Sequence, residues 1–135
     1  MTVDRRKVGK GHEERAARYL RRRGYRIVAA NFQTRRGEID LVAEKGEWIV
    51  FVEVRYRARP DFGSAAESVG SRKRRRLVLA ASEYLARHGM TERPCRFDLI
   101  ALSPGEGKNP VIVHLENAFD RDGRPTGSWS GGRGR

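Results

Sequence analysis

The sequence is short of almost everything that would cross-link it or seat it in a membrane. Cys95 is its single cysteine, which excludes an internal disulfide, and no Cys/His cluster has the spacing of a zinc site. No apolar run approaches the ~18 residues of a membrane-crossing helix. The first stretch, "MTVDRRKVGKGHEERAARYL", carries early positive charge with no apolar segment behind it, so it does not read as a secretory signal. A reducing, cytoplasmic setting is the expectation. There are no internal repeats. Acids are also scarce: 17 Asp and Glu stand against 29 Lys and Arg, a formal net charge of +12 with a pI near 10.9. A balance this basic points to a polyanionic partner, nucleic acid first among them.

The 135 residues are about one domain in length. Residues 10–23 read as a helix ending at Gly24, and 25–32 as a strand. Residues 38–43 and 48–55 are two more strands, joined by a turn around Lys45, Gly46 and Glu47. Pro60, Gly63 and Gly70 mark residues 56–70 as a loop. Ser71 is placed to N-cap a second helix that runs to about His88 and stops at Gly89. Strands follow at 96–102 and 111–117. The order αβββαββ predicts an α/β domain with a mixed sheet flanked by helices. The domain is expected to span residues 1–119. Residues 120–135 are rich in Gly, Ser and Arg and read as a disordered basic tail without influence on stability.

The stretch "GEIDLVAEKGEWIVFVEVR", Gly37 to Arg55, sets a physical problem. It has the apolar content of a buried hairpin, yet carries Glu38, Asp40, Glu53 and Arg55. By alternation, Glu38, Asp40 and Val42 share one face and Ile39, Leu41 and Ala43 the other; Ile49, Phe51, Glu53 and Arg55 share a face of the next strand. A two-residue turn at Gly46–Glu47 sets Lys45 opposite Trp48, Asp40 opposite Glu53 and Glu38 opposite Arg55. A turn at Lys45–Gly46 shifts the register but keeps these side chains on one face, whereas a three-residue loop breaks the relation. Two carboxylates side by side repel. A divalent cation converts that repulsion into a ligand pair.

Both helices add to the pattern. Glu13 shares the stripe of Ala16, Ala17 and Leu20, an acid on a core-facing side, while Glu14, Arg18 and Arg21 face outward. The second helix opens "SRKRRR", and five cations at a positive helix end are unfavourable unless a phosphate sits there. Lys73 lies on the stripe of Leu77, Ala80 and Tyr84 and points inward; Arg74 and Arg75 point out.

Glu13 in "HEERAARYLRRRGYRIVAANF", then "GEIDLVA", "FVEVR", Lys73 and "RFDLIAL" resemble, in order and spacing, the YraN family, UPF0102, over roughly residues 9–119. That family is similar to archaeal Holliday-junction resolvases of the PD-(D/E)xK nuclease superfamily. The resemblance implies a restriction-endonuclease-like core and a Mg²⁺- or Mn²⁺-dependent phosphodiesterase site with Glu13, Asp40, Glu53 and Arg55 as the catalytic set. Asp40, Glu53 and Glu13 would hold the metal. Arg35, Arg36, Arg72, Lys73, Arg74, Arg75 and Arg76 would hold the nucleic acid, DNA in the first instance, and a symmetric junction would suit a homodimer. Two positions depart from the family: Arg55 stands where the superfamily has Lys, and His12 where a Gly is usual. Arg stays charged and cannot act as a base, though it can stabilise charge developing on phosphate. Two other readings follow: a nucleic-acid-binding module that lost cleavage, and a protein adaptor whose basicity is compositional.

Overall fold

The computed structural model describes residues 5–58, 69–107 and 109–126. Helix α1 spans Arg5–Arg22, followed by β1 (Arg26–Gln33), β2 (Glu38–Lys45), β3 (Trp48–Tyr56), helix α2 (Ser71–Arg87), β4 (Cys95–Ser103) and β5 (Val111–Phe119). This is the expected element order. The strands form one sheet in the order β1-β2-β3-β4-β5. Only β3 and β4 are parallel; the other neighbours are antiparallel. Among the described residues the fold is therefore α/β with a mixed five-stranded sheet between two helices, consistent with a nuclease-like core.

Each helix covers one face. Ala16, Ala17 and Leu20 of α1 pack on Leu41, Ala43, Val50, Val52, Ile100 and Leu102. Leu77, Ala80, Ala81, Tyr84 and Leu85 of α2 pack on Ile39, Val42, Phe51, Phe97 and Leu99. The central strands are buried on both sides, as the parallel β3–β4 pair requires. Phe51 and Phe97 stack at 5.5 Å, with Tyr84 edge-on to Phe51 at 5.9 Å.

The hairpin turn is the two-residue one. Lys45 pairs with Trp48, and Gly46 has φ 59° while Glu47 is not in that region, the geometry of a turn that wants Gly first. The loop before β2 is tied by Thr34, whose Oγ1 accepts the N–H groups of Arg36 and Gly37 at 3.1 and 3.0 Å. A Cβ on Gly37 would lie 2.0 Å from the Arg76 carbonyl oxygen. Only glycine lets this loop press against α2, and that contact brings the "GEID" strand to the basic start of the helix.

Several expectations are corrected. Helix α1 begins at Arg5, ahead of residue 10. Gly70, not Ser71, caps α2, with no side-chain cap bond. Arg74 does not point outward: its Nε donates to the Gly123 carbonyl at 2.7 Å and its Nη1 to that of Val69 at 2.5 Å. The acceptor at Gly123 exists because residues 120–126 are not a disordered tail. Asp120 Oδ1 accepts the Asp122 and Arg124 N–H groups, each at 2.9 Å, and the Thr126 N–H reaches Ala118 O at 3.1 Å. Residues 127–135 of the expected tail lie outside the described residues. A chain ending at Phe119 should therefore melt roughly 10 °C below one ending at Thr126, from the loss of hydrogen bonds of ~1 kcal/mol each to Arg74, Asn117 and Ala118. Coincident melts of the two chains would show that this turn does not brace the fold.

Candidate metal and nucleic-acid site

The β2–β3 ladder runs from Lys45–Trp48 to Leu41–Val52 and ends there. One residue further, the Asp40 side chain takes the place of a ladder carbonyl: its Oδ2 accepts the Val54 N–H at 2.8 Å. The alternation of β2 breaks at this point. Ile39 lies with Val42 on the α2 face, while Leu41 and Ala43 lie on the α1 face. Ile39 thus departs from the face that strict alternation assigns it.

Glu53 follows Ile49 and Phe51 on the α2 face and is 2% exposed. Its carboxyl and that of Asp40 act on each other's titration. Burial, then the Asp40 charge, push Glu53 up to about 8, against the pull of Lys73 and Arg55. Burial also raises Asp40, opposed by the Val54 N–H. Glu53 Oε1 is buried without a hydrogen-bond partner, an arrangement that costs free energy unless something else binds there.

Cations approach the pair from two sides. Lys73 Nζ lies 3.7 Å from Glu53 Oε2 and 3.6 Å from Glu38 Oε1. Arg55 Nη1 lies 3.8 Å from Glu53 Oε2. Glu38 pairs with Gln33 of β1 in the sheet, and its carboxylate forms an ion pair with Lys73. Lys73 points inward, as its helical stripe requires, and it supplies the ammonium that position 55 lacks.

Glu13 stands at the α1 side of this centre. Its carboxyl is raised to about 7 by burial and then by the Asp40 charge, opposed by a hydrogen bond with Asn31. Asn31 has φ 53°, a backbone state that Asn tolerates better than most residues. Among the described residues, no group of three or more His, Cys, Asp or Glu side chains is arranged to hold a metal ion. The structure joins Asp40 and Glu53 as a pair, with Glu13 beside rather than within it. The pair itself suits a hard cation: adjacent carboxylate oxygens, one unsatisfied, and destabilised by their own charge. Arg35, Arg36, Arg72, Arg75 and Arg76 are exposed around the "GEID" loop and the α2 start.

A second polar cluster was not assigned from the sequence. Asp98, fully buried, accepts two hydrogen bonds from Arg96, at 2.8 and 2.9 Å. His114 Nε2 lies 2.7 Å away and the Asn117 N–H donates at 3.0 Å. Arg96 also donates to Tyr25 Oη at 2.7 Å, and Tyr19 Oη lies 3.2 Å from His114 Nδ1. Burial alone would raise Asp98; these donors overcome it and hold the carboxyl below its ordinary value. The signal in "RFDLIAL" was the one already used for Asp40: an acid inside an apolar strand.

The model of the uncharacterised protein family UPF0102 matches residues 12–102. A UPF0102 protein of Anaeromyxobacter dehalogenans is 46% identical over 125 residues, covering 93% of this chain and 92% of its own. One from Dechloromonas aromatica is 51% identical over 114 residues, 84% of this chain and 89% of its own. One from Pelotomaculum thermopropionicum is 47% identical over 120 residues, 88% of this chain and the whole of its own. The family match runs from His12, beside Glu13, through Asp40, Glu53, Lys73 and Asp98, and the chain belongs to the UPF0102 family.

Proposed function

We propose that the protein is a metal-dependent nuclease that hydrolyses phosphodiester bonds in DNA. The observation that carries this reading is the Asp40–Glu53 pair: two neighbouring acids, Glu53 buried and raised to about 8 by burial and the Asp40 charge, with its Oε1 unsatisfied. Asp40 and Glu53 would hold Mg²⁺ or Mn²⁺, with Glu13 in the outer shell. When bound, the cation supplies a lowered pKa for water and neutralised charge on phosphate oxygens. Asp40 is oriented by the Val54 N–H, so its second oxygen is left to face the site. Lys73 holds Glu53 and Glu38 in place and offers positive charge to the scissile phosphate. Arg35, Arg36, Arg72, Arg75 and Arg76 grip the backbone on either side. Arg74, committed to two carbonyls, braces the helix start they occupy.

The experiment is cleavage of duplex, single-stranded, flap and four-way DNA with Mg²⁺, Mn²⁺ or chelator. Turnover that requires the cation supports the reading; none with any substrate contradicts it. Binding should also fall about a thousandfold or more between 50 and 200 mM salt and depend little on sequence, as phosphate-dominated contact does. Affinity indifferent to salt would remove the arginines from the interface. A second reading, a binding module without cleavage, is favoured by one observation: Arg55 is ion-paired with Glu53 and cannot act as a base. It predicts the salt dependence without the turnover.

A further inference from the structure

At the end of β3, three residues beyond Glu53, Tyr56 turns to the α1 face. Its ring stacks on that of His12, with centroids 4.7 Å apart and planes 22° apart. Tyr56 is nevertheless 53% exposed. His12 adjoins Glu13, and Tyr56 is flanked by Arg55 and Arg57. A strand advances ~3.3 Å per residue, so the stacked rings stand on the order of 10 Å from Glu53 along β3. An aromatic ring this open loses the benefit of burial. Here it is also fixed by a second ring, in a strongly basic chain, on the α1 side of the sheet where Glu13 stands.

We infer that the Tyr56–His12 stack is a platform for an unpaired nucleobase next to the scissile phosphate, so that the substrate is DNA with a single-stranded nucleotide there: a free single strand, a flap or an open branch. This rests on the nuclease reading of the acid pair. The chemistry is direct. A base presents its π-face to a protein ring only when it is out of the duplex stack, and base–aromatic stacking is tolerant of sequence. His12 holds the Tyr56 ring in plane before the base arrives, so little side-chain freedom is lost on binding. Arginines beside the platform would take the adjoining phosphates.

The test is fluorescence anisotropy with a labelled single-stranded oligonucleotide and the matching duplex, in chelator, for wild type, Tyr56→Ala, Tyr56→Phe and His12→Ala. Tyr56→Ala should weaken single-strand binding about ten- to a hundredfold and lower the ratio of single-strand to duplex affinity by the same factor. Tyr56→Phe should retain wild-type behaviour, and His12→Ala should fall between. Equal weakening on both substrates, or none on either, overturns the platform. Because chelator removes cleavage from the readout, a protein that binds with this ratio but never cuts keeps the platform and loses the nuclease reading. A protein that binds neither substrate overturns both.

Discussion

Asp98→Asn should lower stability by about 3–5 kcal/mol, roughly 10–20 °C in melting temperature, while Asp40→Asn should leave it equal or higher. Both acids lie in apolar strands, and the difference is in their partners. Asp98 receives donors from Arg96, His114 and Asn117. An amide turns a donor toward those donors and takes from the Arg96 guanidinium its buried counter-charge, leaving the exposed Glu116 at 3.7 Å. Asp40 receives one backbone donor, which an Asn oxygen can keep, and faces Glu53. Replacing it removes a repulsion. The same substitution should abolish divalent-cation binding. Thermal melts of both variants at pH 8 decide the matter. A destabilised Asp40→Asn protein, with no cation-induced shift in wild type, would make Asp40 a structural acid and end the metal-site reading.

Without divalent cation, stability should fall by about 3 kcal/mol between pH 5 and pH 8. Glu53 carries a folded value of about 8 against an ordinary 4.5, and Glu13 one of about 7. A raised acid holds its proton more tightly in the folded chain. Between the unfolded and folded values the native state binds more protons, so stability is full below the unfolded value and is lost as pH rises through the folded one. Each such group contributes a slope of up to ~1.4 kcal/mol per pH unit. Asp98 acts in the opposite sense: its lowered carboxyl adds stability above its unfolded value, lost as pH falls below it. Maximum stability should lie near pH 5. Mn²⁺ binds the deprotonated pair, so its stabilising shift should be small at pH 5.5 and large at pH 8. Denaturant melts across this range, with Glu53→Gln as control, check the cause: that variant should flatten the decline. A decline unchanged in Glu53→Gln would place the titration elsewhere.

Much of this site could be read from residue order alone, because strand and helix periods place side chains before any contact is known. Gly46 set the hairpin register and Glu53 its face; Lys73 was inward by its stripe. What escaped had a physical reason in each case. Ile39 sits on the unexpected face because the Asp40 side chain, not a carbonyl, receives the Val54 N–H, and alternation assumes an unbroken ladder. Arg74 turned inward because residues 120–126 fold back to offer the Gly123 carbonyl, which a Gly- and Arg-rich stretch does not announce. Asp98 remained unassigned because His114, Asn117 and Tyr25 lie far along the chain and converge only when β4 and β5 pair. A register shift between Phe97 and Leu99, with Asn117 at φ 53°, aims that N–H at the carboxylate. The Tyr56–His12 stack likewise joins α1 to the end of β3, a contact with no local signature.

The most direct measurement of the central claim is a calorimetric titration of Mn²⁺ at pH 7, repeated in buffers of different ionisation enthalpy. The account predicts binding to the Asp40–Glu53 pair with release of about one proton, the one that Glu53, raised to about 8, still carries at pH 7, and loss of both binding and proton release in Asp40→Asn and in Glu53→Gln. Wild-type protein that takes up no Mn²⁺, or variants that bind it as wild type does, would contradict it.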